Sequence, residues 1–309
     1  MNEREALVIL NNIAGIGPQK MRVLISAFGS GVEVLQATKE SIRALPRFGE
    51  KLAEAVAGWQ NNILWQKDLE LIEQYGVKIV LSTDEDYPKH LRAISDHPLL
   101  LYVLGSLKGE EPSIAIVGTR TASDYGKEQA KRFGRELAGQ GVVVVSGLAR
   151  GIDTAAHVGA LEAGRTVAVI GSGLARLYPA ENSALAEAIS KKGAVVSEFA
   201  MMVPPDRQNF PRRNRIVSGM TQATCVIEAP VKSGAMITAS KALEYKRDLF
   251  ALPGLVDSEN YRGNHQLIKT GQACLIENPD ECIYKISKSP YHEIKSSVNE
   301  FRQVFPGRI

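Results

Sequence analysis

Four short runs of uninterrupted apolar residues, each ended by glycine or proline, set the limits on how this chain folds. They are SIAIV before Gly118, VVVVS before Gly147, TVAVI before Gly171 and ATCVIEA before Pro230. A strand with one face in water alternates apolar and polar residues; a run that is apolar throughout belongs to a strand covered on both faces. Such strands pair in parallel beneath layers of helix. VKIVL, AVVS and LFALPG have the same character, and DYGKEQAKRFGRELAGQ and ENSALAEAISKKG between the runs have helical composition. The rhythm predicts an α/β domain, doubly wound around a mainly parallel sheet, over residues 77–286.

Before residue 77 the pattern is helical. Leu7, Leu10 and Ile13 precede the turn Gly15-Ile16-Gly17-Pro18, and Met21, Leu24, Ile25 and Phe28 follow at helical spacing. Ile42 and Leu45, the turn Pro46-Arg47-Phe48-Gly49, and Leu52, Val56 and Trp59 repeat the plan. Two readings stand: a duplicated helix-hairpin-helix offering backbone N–H groups to a phosphate, or two tight turns in a small bundle. Residues 1–76 are expected to form a small all-helical domain. Residues 287–309 carry little apolar content and are expected to be a short tail, too short for a winged-helix domain.

The composition is that of an ordinary globular chain, 44% hydrophobic and 23% charged over 309 residues, with a formal charge of only +3. Net charge therefore names no partner, and any polyanion must be met by local clusters of Arg and Lys. Cys225, Cys274 and Cys282 lack metal-ligand spacing and read as reduced thiols. MNEREALVIL lacks the basic and apolar regions of a signal peptide. No apolar run approaches the roughly 20 residues that cross a bilayer. A cytoplasmic protein with no membrane partner is expected.

In doubly wound sheets ligands bind beyond the carboxyl ends of the strands. There the sequence places Gly118-Thr119-Arg120, Ser146-Gly147 with Arg150, Gly171 and Gly173, and Lys232-Ser233-Gly234. Glycines let backbone N–H groups approach an anion, and the helix that follows adds partial positive charge. None of these loops is a GxGxxG or a GxxxxGK[ST], so they are not built for a dinucleotide or a nucleoside triphosphate. Together they predict a phosphate-binding crevice.

The run Arg207-Gln208-Asn209-Phe210-Pro211-Arg212-Arg213-Asn214-Arg215 puts four arginines around one aromatic ring with no acid among them. Phosphate attraction beside a stacking surface is the chemistry that an unpaired strand needs. Catalytic groups are poorly supported. Asp153 and His157 are spaced to share a helix face, yet Ser146 lies in no GxSxG elbow. Glu198 and Glu228 follow strands, where a carboxylate pair can do acid/base work or hold a nearby arginine; the second role is expected. The reading is a single-stranded DNA binding protein rather than an enzyme. The alternative is a nucleotide-processing enzyme of the phosphoribohydrolase type, although its PGGxGTxxE signature does not occur here.

GTR, SGLARGIDTAAH, GSG, YPAEN, SEFA, FPRRNRI, EAPVKSGAMITA and ALPG, in that order, resemble the DprA/Smf family of DNA-processing proteins over about Asp86–Gly271. The resemblance implies a Rossmann-like domain preceded by a SAM-like helical domain. It implies a homodimer, protection of incoming single-stranded DNA during natural transformation and loading of the RecA recombinase. No cofactor and no catalytic activity are implied. The family's G-[ST]-R arginine falls on Arg120, and its basic pocket with stacking aromatic on Arg207 and Phe210. Arg213, Asn214 and Arg215 set that pocket's conformation, and the dimer and recombinase surface resembles the segment holding His265, Leu267 and Ile268. This chain departs from the family at Thr119, where serine is commoner, and at Lys246-Arg247, where glycine often precedes the arginine.

Overall fold

The computed structural model describes residues 1–288, so all but the first two residues of the expected tail lie outside it. The chain falls into two compact units, one of Met1–Glu111 with Thr166–Ile216, the other of Pro112–Arg165 with the chain from Val217 on. The class is α/β with a mainly parallel, Rossmann-like arrangement and a helical N-terminal region, as the apolar runs predict.

The first unit begins with six helices, α1 (Glu3–Asn11), α2 (Pro18–Phe28), α3 (Gly31–Gln36), α4 (Lys39–Arg43), α5 (Glu50–Ala57) and α6 (Leu64–Gln74). Asn2 and Glu5 close a capping box at the start of α1, which satisfies two backbone donors that the helix cannot. Ala6 to Leu10 are all buried, because α1 packs against α3, α6 and a strand at once. The two turns of the sequence repeat prove alike. Gly15 (φ +87°) and Arg47 (φ +68°) are left-handed, Ile16 and Phe48 are buried, and Gly17 and Gly49 precede α2 and α5. A left-handed residue other than glycine carries a steric cost, which Arg47 bears in the second copy alone.

The first strand begins at Lys78, inside the same unit as the helices before it. β1 (Lys78–Leu81) leads through the one-turn α7 (Lys89–Arg92) to β2 (Leu100–Gly105); the rest of this unit's strands follow Arg165. Asp68, on α6, lies buried and accepts hydrogen bonds from Tyr102 Oη (2.7 Å), Asn12 Nδ2 (3.0 Å) and Met201 N (2.6 Å). One carboxylate thus ties three segments of this unit together. Burial nonetheless pushes the Asp68 carboxyl above its ordinary value, with the three donors pulling the other way. A raised native pKa gives stability that is full below the unfolded-state value and fades as pH rises through the native one. Asp68→Asn lacks that dependence. Wild type is therefore expected to lose stability relative to Asp68→Asn as pH is raised from below the ordinary Asp value, and urea midpoints of both proteins over that range check it.

The second unit holds β3 (Ser113–Val117), α8 (Asp124–Gly139), β4 (Val143–Ser146) and α9 (Ile152–Ala163). The first unit resumes with β5 (Thr166–Val169), α10 (Ser183–Lys192), β6 (Ala194–Ser197) and α11 (Asn209–Gly219). Then come β7 (Ala223–Val226), α12 (Gly234–Glu244), β8 (Asp248–Ala251), α13 (Arg262–Lys269), β9 (Cys274–Leu275) and α14 (Pro279–Lys288). Strands of the first unit run in the order β1-β2-β6-β5, antiparallel except for β5 beside β6. Those of the second run β4-β3-β7-β8-β9, all parallel. In the second unit Ile114 and Ile116 of β3 join a buried apolar cluster that includes Phe133, Leu137 and Ile152. All three cysteines are free, and no helix among the described residues is long and apolar enough to cross a membrane.

Candidate nucleic-acid interface

Parallel pairing puts the loops after β3, β4 and β7 at one edge of the second unit. The Gly118-Thr119-Arg120 loop is laced to the one after β7, since Thr119 N donates to Glu228 O at 2.7 Å. Thr119 is buried, whereas Arg120 is exposed. Ser146 has a structural task, its Oγ donating to Ile116 O at 2.6 Å inside the unit. The next loop is stapled by Asp153, whose Oδ2 accepts from Gly147 N (3.1 Å) and Ala149 N (3.4 Å). Leu148 is held left-handed (φ +57°), and Arg150 stands exposed at the end of the loop. After β7, Lys232 and Gly234 are exposed and Ser233 opens α12 without a side-chain capping bond.

Glu228 does not hold an arginine as expected. Its carboxylate accepts from Ser123 N and Oγ, the latter at 2.7 Å, and from Asn260 Nδ2 at 2.6 Å, so it fixes the start of α8. Asn264, which sequence reasoning missed, is buried and spends its whole amide on the backbone. Its Nδ2 donates to Val226, Ile227 and Leu252 carbonyls while Oδ1 accepts from Ala229 N. Of the residues expected at a dimer surface, Leu267 is buried within its own unit, Ile268 is half-buried, and a ring nitrogen of His265 lies 3.1 Å from Gly254 O.

In the first unit the loops after the parallel pair β5 and β6 share an edge. Gly171 and Gly173 are buried, and a Cβ on Gly171 would lie only 2.8 Å from Cδ1 of Phe210. The missing side chain is what lets the half-buried ring settle on the backbone. Tyr178 joins it, ring centroids 5.9 Å apart and planes tilted 51°. Sequence reasoning passed over Tyr178; its position just before a proline in the loop following Gly173 was the available signal. Exposed Arg207 precedes α11, and exposed Arg212 lies with its guanidinium 5.0 Å from the Phe199 ring centroid.

The other basic residues of the run face inward. Arg213 is buried and donates from Nη1 to Val169 O and from Nε to Asn214 Oδ1 (3.0 Å), which anchors α11 to the end of β5. Asn214 is buried with it. Arg215 pairs with buried Glu198 and stands 3.9 Å from Asp96, so Glu198 does hold an arginine. Burial pushes the Glu198 carboxyl up and Arg215 pulls it back. Arg207 and Arg212 are thus the exposed arginines of the run.

A family model for DNA recombination-mediator protein A matches residues 78–287, more than two thirds of the chain. The chain belongs to this family. The match begins where β1 begins and extends past the Asp86–Gly271 resemblance at both ends. Protein Smf of Synechocystis sp. is 38% identical over 275 residues, 87% of this chain and 69% of that protein. Across four curated relatives of the family the chain spans 65–70% of their length. Among solved structures, DNA processing protein A of Streptococcus pneumoniae superposes with a TM-score of 0.80 at 30% identity, covering 92% of this chain and 98% of that one. The Helicobacter pylori DNA processing protein A gives a TM-score of 0.63 at 31% identity, covering 69% and 97%; its structure was described for its single-stranded DNA binding mode.

Proposed function

We propose that this member of the family binds single-stranded DNA, with a base stacked on Phe210 and phosphates held by exposed cations. The observation that carries the reading is the ring of Phe210 seated on Gly171 with Tyr178 beside it and exposed Arg207 nearby in sequence. A duplex buries its base faces in its own stack, so an aromatic platform selects unpaired strands. Arg207 and Arg212 on one unit, and Arg120, Arg150 and Lys232 on the other, supply the positive charge. Stacking and backbone charge read no base edges, so sequence preference is weak. The binding is non-catalytic, requires no cofactor and takes place in the cytoplasm. Its purpose is to protect incoming strands in natural transformation and to load the RecA recombinase onto them.

Fluorescence anisotropy with a labelled strand and its duplex, at several salt concentrations, tests the proposal. The expected result is preference for the single strand, with log K falling by about 0.7 per phosphate contact per decade of salt. Preference for duplex, or no binding, rejects it and directs attention to nucleotide hydrolysis.

The protein acts as a homodimer through α13. Ile268→Glu places a charge on a half-buried apolar position of that helix, and its mass by light scattering is expected to fall to that of the monomer. An unchanged mass removes α13 from the interface.

A further inference from the structure

The first unit holds a cavity of about 440 Å3 away from the aromatic platform, lined by the Gly15–Lys20 turn, Asp96, Arg212 and Arg215. The turn presents the N-terminus of α2, a helix of 11 residues whose cap, Gly17, has no side-chain oxygen and whose first turn has no acid. Pro18 takes the first position, so the backbone N–H groups next in line, those of Gln19 and Lys20, have no acceptor inside the helix. The duplicate turn differs at this point. There α5 carries Glu50 in its first turn, bonded to Lys39 (2.6 Å) and Arg43 (3.1 Å), so that helix brings its own anion. The α2 terminus has none.

Arg215 is the second sign of a ligand. Its side chain is only 8% exposed, it lines the cavity, and its Nη1 has no hydrogen-bond partner although Nη2 is engaged by Glu198. A buried guanidinium donor is ordinarily satisfied. Helix geometry separates this corner from the platform: at about 100° per residue, Arg212 and Arg215 share a face of α11, while Phe210 and Arg213 lie on the other. With Glu198 neutralising Arg215, the charges left at the rim are Lys20 and Arg212 against Asp96. Arg22 is close enough to Arg215 and Asp96 to interact with both, so the corner is positive overall and suits a phosphodiester. A phosphate dianion would bring a second negative charge to Asp96.

We propose that this cavity is a second phosphate site, which takes one phosphodiester group of a nucleic-acid strand on the side of α11 opposite Phe210. The proposal rests on the single-strand reading for the identity of its ligand. A strand held there and on the platform is gripped at both flanks of one helix.

Two measurements on the full chain test it. In the first, Lys20→Glu and Lys20→Arg are titrated with a labelled oligothymidylate of roughly 20 nucleotides, longer than one such binding site. Lys20→Glu is expected to weaken binding about tenfold and lower the salt slope by about 0.7, whereas Lys20→Arg stays near wild type. In the second, acylation of Lys20 in the wild-type protein is followed by mass spectrometry with the same strand, with inorganic phosphate or with thymidine monophosphate. Protection by the strand alone supports the site. Protection by phosphate or the mononucleotide makes it a small-anion site and overturns the strand assignment. Wild-type strand binding with neither a Lys20→Glu effect nor protection overturns this site while the single-strand reading stands. No strand binding by the wild type defeats both.

Discussion

Replacing Glu198 with alanine is expected to cost about 3–5 kcal/mol of folding stability. The Glu198 and Arg215 side chains are 4% and 8% exposed, so the substitution leaves a guanidinium inside the protein with its counterion gone. The loss comes from that stranded charge, since a paired ion in a dry site returns little more than its own desolvation. Asp96, 3.9 Å from Arg215 Nε and less buried, takes over part of the partnership and holds the loss toward the lower end of the range. Urea midpoints followed by circular dichroism measure it. The double variant Glu198→Leu with Arg215→Met removes both charges and is expected to recover most of the stability. A single-variant loss under about 1 kcal/mol would mean that Arg215 reaches water by rearrangement and that the pair does not fix α11.

Phe210→Ala is expected to weaken single-strand binding by about 1–3 kcal/mol, roughly five- to 150-fold, with the loss equal across strand sequences. The ring rests on Gly171 beside Tyr178, so truncation removes one ring of that aromatic pair. Phe210→Trp keeps a π-face and retains most of the affinity. Arg207→Ala should act differently, lowering the slope of log K against log salt by about 0.7 rather than removing a stack. Adding Arg120→Ala to Arg207→Ala deepens the charge effect without changing sequence preference. Anisotropy titrations at several salt concentrations, with circular dichroism to verify folding, separate the two contributions. Unchanged affinity in a folded Phe210→Ala protein removes the ring from the interface.

The α/β class was legible because both-face burial writes an unbroken apolar run, as in SIAIV and VVVVS, and because glycine marks the turns that end them. The change from helix to strand shows in the run VKIVL, although β1 is not covered along its length, with Lys78 exposed and Ile79 half-buried. LLYVLG, now β2, was passed over: it follows Pro98 without the strand–glycine–helix rhythm and runs antiparallel between β1 and β6. The arginine run was legible as charge but not as geometry. A helix turns each successive residue by about 100°, so adjacent arginines face unlike surroundings, and what buries Arg213 and Arg215 is Val169 O and Glu198, distant in sequence. Asp68 and Asn264 gave no signal either, because a buried polar residue is recognised by the donors and acceptors that the fold assembles around it.

The doubled hairpin has a further consequence, for descent. The two turns share a shape but differ in charge. The second holds Arg47 in a left-handed position and sets Glu50, bonded to Lys39 and Arg43, at the start of its helix. The first has Gly15 at that position and no acid in the first turn of α2. A first turn that meets a phosphate is constrained by that contact, so drift among relatives should run faster through residues 46–50 than through residues 15–20.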